Sequence, residues 1–127
     1  MKKIVAILAS IALALATAPT AMAHAQISSS FPKAKSTIKV WPTGVWVEFD
    51  GNLISLPGST IDRLVVKDSA GKQVDIKDSS VGGARLSVSL KKTAAPGKIT
   101  MSWRVVSEDG HPVQSSTFFY YLPAKKA

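Results

Sequence analysis

At 127 residues the chain has room for one ordinary domain and not for two. It contains no cysteine, which excludes disulfide staples, a cysteine nucleophile and any thiolate metal site, so a metal could be held only by nitrogen, oxygen or methionine sulfur. The net charge of +8 is spread over scattered lysines with no aromatic-interleaved basic block, a pattern of solvated surface that argues against a nucleic-acid partner.

The first stretch in chain order does not look like part of the domain. Lys2 and Lys3 form a basic start, residues 4–16 an apolar run, and Ala21-Met22-Ala23 a small-x-small exit, the three parts of a secretory signal peptide. A membrane anchor is the alternative, because residues 4–23 carry no charge and match the roughly 20 residues that span lipid. Against the anchor, Pro19 and Thr20 interrupt the run and no cationic stop-transfer flank follows Ala23. A cut after Ala16 also fits the small-residue rule, and one after Ala18 would set Pro19 beside the scissile bond. Cleavage after Ala23 leaves residues 24–127 as the exported domain, without a membrane span and with His24 at its free amino terminus.

From residue 24 onward no long 3.6-residue period appears, and short alternating runs are punctuated by Gly, Pro, Ser and Asp. Strands are expected at 24–31, closed by Pro32, and at 38–41, ended by Pro42. The next is 45–49, with Val45, Val47 and Phe49 inward, after which Asp50-Gly51-Asn52 opens a long loop to residue 60. Strands follow at 61–67 and 73–76, then a flexible loop at 79–83 and the cleanly alternating Leu86, Val88 and Leu90. Ile99, Met101, Trp103 and Val105 share one face of a core strand, which a turn at 107–112 joins to a last strand at 113–122. Rings 118–121 of that strand alternate between faces, and residues 123–127 form a polar tail. About seven short strands in some 100 residues fit an all-β, immunoglobulin-like antiparallel sandwich, with an open barrel as the alternative.

The chemistry concentrates where the 99–106 run stops at Ser107-Glu108-Asp109-Gly110-His111-Pro112. Residues two apart on an extended chain point to the same side, so Asp109 and His111 can face one ion, with Gly110 letting the backbone bend. Taken alone, the tripeptide reads first as hairpin chemistry beside a solvated histidine. His24 alters this reading, because a histidine at a free amino terminus offers its α-amine and Nδ1, which close a six-membered chelate ring. Together His24, Asp109 and His111 supply three nitrogens and one carboxylate oxygen, a tetragonal set of the kind copper(II) prefers, with nickel(II) and zinc(II) as competitors. The amine and imidazoles must shed protons to bind, so affinity should fall in acid. No catalytic residue is assigned; Trp103 belongs to the core, and Glu108 is either surface charge or support behind the ligands.

These segments together resemble the CopC family of periplasmic copper resistance proteins. The resemblance rests on His24-Ala25, Ser28-Ser29-Ser30-Phe31-Pro32, Val45-Trp46-Val47-Glu48-Phe49, Pro96-Gly97 and above all Trp103 through Pro112. It implies an immunoglobulin-like sandwich that binds one copper(II) through the amine and imidazole of His24, Asp109 and His111. It also implies a carrier or buffer in the periplasm that hands copper to a CopD-type inner-membrane protein; separately, a monomer is expected. Some family members add a copper(I) site of methionines and a histidine in the loop after the 45–49 strand. Here residues 50–60 contain neither, and processing leaves Met101 as the sole methionine, so no copper(I) site is expected. Lys35, where the family often has glycine, and Ser115-Ser116-Thr117, in place of a Gly-x-Phe pattern, depart from the family away from the ligands.

Two other functions are compatible with parts of this pattern. A histidine-brace copper oxidase would use an amino-terminal histidine, but Asp109 would fill the position that oxygen chemistry needs open. A metal-free adhesion or assembly module would need only the sandwich. The copper reading requires the fold to bring the processed amino terminus beside the end of the 99–106 strand.

Overall fold

The structure is a computed structural model that describes residues 26–56 and 61–125; the expected signal peptide and His24 lie outside them. Eight strands run in order: β1 (Ile27–Phe31), β2 (Thr37–Ile38), β3 (Gly44–Phe49), β4 (Arg63–Lys67), β5 (Ser80–Gly82), β6 (Arg85–Ser89), β7 (Gly97–Val106) and β8 (Pro112–Tyr121). They form two four-stranded sheets, ordered β1-β3-β6-β5 and β2-β8-β7-β4. Among the described residues there is no helix long and apolar enough to cross a membrane.

Alternation builds the space between the sheets, because successive side chains on a strand leave opposite faces. Val45, Val47 and Phe49 of β3 and Leu86 and Val88 of β6 turn inward from one sheet. Leu64 and Val66 of β4, the Ile99, Met101, Trp103 and Val105 face of β7, and Phe119 of β8 meet them from the other. Each such side chain contributes about 1.5–3 kcal/mol by leaving water. The Phe49 and Trp103 rings meet edge to face with centroids 6.0 Å apart, joining the sheets at the end where β3 and β7 both finish.

Several sequence expectations need correction. The strand expected at 38–41 is only the two-residue β2, which pairs in parallel with Tyr120 and Tyr121, so the second sheet is mixed and not wholly antiparallel. Beyond Ile38 the chain leaves the sheet, and the Trp41 ring instead meets Tyr121 at 5.1 Å while its Nε1 donates to the Lys91 carbonyl at 2.8 Å. Residues 73–76 form isolated bridges at Gln73 and Asp75 and no strand, because the Asp75 side chain takes part of the work of backbone pairing. The supposed flexible loop at 79–83 contains β5, an edge strand whose backbone pairs with β6. Its Ser and Gly residues pack little, but backbone hydrogen bonds do not depend on side-chain size.

Edge strand β1 is polar and carries a bulge at Ser28, where its register against β3 shifts. A bulged, serine-rich edge resists pairing with another chain. β1 also begins at the end of the sandwich where β3 finishes, since Ile27 faces Phe49.

Candidate metal centre

β7 and β8 are ten-residue partners in continuous antiparallel register, from Gly97 opposite Tyr121 to Val106 opposite Pro112. Their connection, residues 107–111, is a tight turn. Gly110 N–H donates to the Ser107 carbonyl at 2.8 Å and Ser107 N–H to the His111 carbonyl at 3.1 Å. Gly110 holds φ at +84°, a left-handed backbone that most residues avoid. Asp109 and His111 therefore do not lie on extended chain, as the sequence argument assumed. They come together because the turn curls, and His111 Nδ1 lies 3.0 Å from Asp109 Oδ2.

The carboxylate of Asp109 is oriented from several sides. Ser107 Oγ donates to Oδ1, and the backbone N–H of His111 donates to the same oxygen at 3.2 Å. With the Ser107 hydroxyl as the main cause and the His111 contacts next, the Asp109 pKa is lowered to about 2. The group is thus an anion at any physiological pH. Its side chain is 30% exposed and that of His111 66%, so both donors can reach an incoming ion. Ser107 has no role in the ligand set expected from sequence, although a turn serine commonly bonds nearby backbone, and Ser107 Oγ also lies 3.2 Å from the His111 carbonyl.

The floor of this turn is firm. Val106 accepts from Ile54 N–H at 2.9 Å, Leu53 and Ser107 form a bridge, and Val106 N–H donates to Asp62 Oδ1 at 3.1 Å. Burial of Asp62 raises its carboxyl pKa, and the Val106 bond only partly opposes that. Glu108 is exposed, and its Oε2 lies 3.9 Å from where a Cβ on Gly51 would stand, so its carboxylate reaches toward the loop after β3.

That same loop holds the start of the described chain. Gln26 N–H donates to Asp50 Oδ1 at 3.0 Å, and Asp50 N–H returns a bond to the Gln26 carbonyl at 2.8 Å. Asp50 is three residues before Leu53, which bridges Ser107. Gln26 and the Asp109–His111 turn consequently sit at one end of the sandwich. His24 lies outside the described residues, two positions before Gln26, and two extended residues span about 7 Å.

Among the described residues no three His, Cys, Asp or Glu side chains gather as a metal site, so the turn contributes a pair of donors. Met101 is fully buried in the core, where its sulfur faces apolar neighbours and no solvent.

The CopC domain family matches residues 27–121. The chain is 32% identical over 113 residues to Copper resistance protein C of Xanthomonas campestris pv. juglandis, covering 86% of this chain and 87% of that protein. It is 28% identical over 102 residues to Protein YobA of Escherichia coli (strain K12), covering 80% and 81% respectively. The crystal structure of CopC from Methylosinus trichosporium OB3b superposes with a TM-score of 0.69 at 23% identity, over 82% of this chain and 99% of that one. PcoC, described as a methionine-rich copper resistance protein from Escherichia coli, superposes at 0.60 and 19% identity, over 78% and 99%. At such identities the two superpositions establish a common sandwich. With the family domain running from β1 to the end of β8, and a relative above 30% identity over most of its length, the chain belongs to the CopC family.

Proposed function

We propose that this chain is a periplasmic copper(II)-binding protein that acts as a carrier or buffer in copper resistance, holding one ion and catalysing no reaction. The proposed ligands are the α-amine and imidazole of His24, freed by cleavage after Ala23, together with Asp109 and His111. Delivery to a CopD-type inner-membrane protein is part of the proposal. The observation that carries it is the pairing of His111 Nδ1 with Asp109 Oδ2 at 3.0 Å, on the turn that shares its end of the sandwich with Gln26. A carboxylate that is anionic at neutral pH beside an imidazole, both open to solvent, suits a divalent ion of borderline softness. The copper resistance relatives support the choice of copper.

The Asp109 carboxylate already accepts three hydrogen bonds, so it also works as an orienting group. A carboxylate held against one imidazole nitrogen fixes the ring while the other nitrogen faces a metal, an arrangement common in metalloproteins. The burial of Met101 and the lack of Met or His in residues 50–60 support binding of copper(II) alone, unlike a methionine-rich relative.

The test is a copper(II) titration of the processed chain beside a form bearing one extra residue before His24. The extended form should bind about 100-fold more weakly or worse, since it loses the amine chelate, and neither form should compete with a copper(I) chelator. Equal affinities would remove His24 from the site; weak binding by both would remove copper from the function.

A further inference from the structure

The two ends of the sandwich differ in charge. The turn-bearing end holds the exposed or half-exposed carboxylates Glu48, Asp50, Glu108 and Asp109. All three arginines also lie there: Arg85 pairs with Glu48 at 3.4 Å, and Arg63 stands opposite Arg104. The opposite end is made where β2, β4, β6 and β8 finish and β3 and β7 begin. It exposes Lys39, Lys67, Lys91, Lys92, Lys98 and Lys125, and none of them forms a salt bridge with a carboxylate of the described residues.

The carboxylates nearest these lysines are already engaged by backbone. Asp68 is buried and accepts from the N–H groups of Ala70, Lys72 and Ala95, and Asp78 accepts from Ser89 N–H at 2.8 Å. Between the lysines stand apolar side chains left in water. Val40 is 80% exposed and Leu122 51%, and Leu122 N–H donates at 2.9 Å to the carbonyl of Ile38, two residues before Val40. Tyr120, opposite Lys98, is 37% exposed.

We propose that this lysine-rich end docks the protein on an anionic phospholipid surface, with Val40 and Leu122 entering the headgroup layer. The side-chain chemistry favours lipid over an acidic protein. Lysine is a flexible point charge suited to a diffuse field of phosphates, whereas the planar fork of arginine suits a defined carboxylate partner, and the arginines are at the other end. Lysines near an anionic membrane act additively and over a Debye length, so they need no shaped groove. Docked in this way, the protein turns the Asp109–His111 end to the water.

Flotation of the exported chain with phosphatidylcholine vesicles, with and without phosphatidylglycerol, tests this. Binding should require phosphatidylglycerol and fade as salt rises. The triple variant K39Q/K98Q/K125Q should lose about 100-fold in vesicle partitioning, from roughly fivefold per lysine. The variant R63Q/R104Q, which removes charge from the other end, should lose less than tenfold. Equal losses in the two variants, or binding that needs no anionic lipid, would overturn the proposal. Failure of the parent chain to bind at low salt would overturn it too, leaving an acidic protein as the occupant of this end. Copper titration of the lysine variant should match that of the parent, so the outcome here is separable from the copper reading.

Discussion

Asp75 and Asp109 each accept three hydrogen bonds, yet they do opposite work. Asp75 is 2% exposed and takes Val66 N–H at 2.8 Å, Gln73 Nε2 at 3.0 Å and Lys77 N–H at 3.1 Å. It substitutes for a missing strand edge, since residues 73–76 pair with their neighbours only through isolated bridges. Asp109 takes its bonds from Ser107 and His111, its immediate neighbours, on a turn open to solvent. The first carboxylate ties β4 at Val66 to the 73–77 segment from a buried position; the second organises only its own loop and stays open to solvent. What separates the structural carboxylate from the proposed ligand here is burial and one donor, Val66, nine residues away on β4, since the number of bonds is the same.

The largest expected effect comes from breaking the buried member of this pair. Asp75→Ala orphans the buried Val66 N–H and removes the partner of Lys77 N–H, and should destabilise the fold by about 2–5 kcal/mol, read as a lower denaturant midpoint with copper affinity of the folded fraction unchanged. His111→Ala should do the reverse. Copper(II) affinity should fall about 100-fold or more, since losing a proposed ligand costs at least as much as losing a group that orients one, while stability moves by less than about 0.5 kcal/mol because the side chain is largely in water. Unfolding of this variant would show the turn to be structural after all.

The smallest effect is the response to acid. Because the folded pKa of Asp109 lies below its ordinary value, the contribution of its contacts is complete above about pH 4 and is lost as pH falls through about 2. Chemical shifts of Ser107 and His111 followed from pH 5 to the acid limit should report that step locally. A step centred near pH 4 would mean that the Ser107 bond does not hold in solution.

Much of the fold was legible in the residues because one face of each long strand must be dry. The alternation of Val45, Val47 and Phe49, of Leu86 and Val88, and of Ile99 through Val105 named the inner faces directly. Short edges were not legible. β2 and β5 are fixed by hydrogen bonds to β8 and β6, and neither has an apolar rhythm of its own. At 73–76 the periodicity pointed to a strand, but a buried side chain competes with the backbone for the same donor, which no pattern of hydrophobicity records.

By itself the sequence determined the sheet faces, the abrupt end of the long strand at Ser107 and the presence of an acid and a histidine about a glycine. It determined these because burial periodicity and turn chemistry are local properties. The tertiary structure decided that Asp109 meets His111 through a left-handed turn and that the Ser107 hydroxyl lowers its pKa. It also brought the start of β1, through Asp50 and Leu53, to the same end of the sandwich, and gathered lysines from separate strands at the other. Those outcomes depend on which strands are neighbours and in which direction each one runs, and pairing across dozens of residues leaves no local trace in the chain.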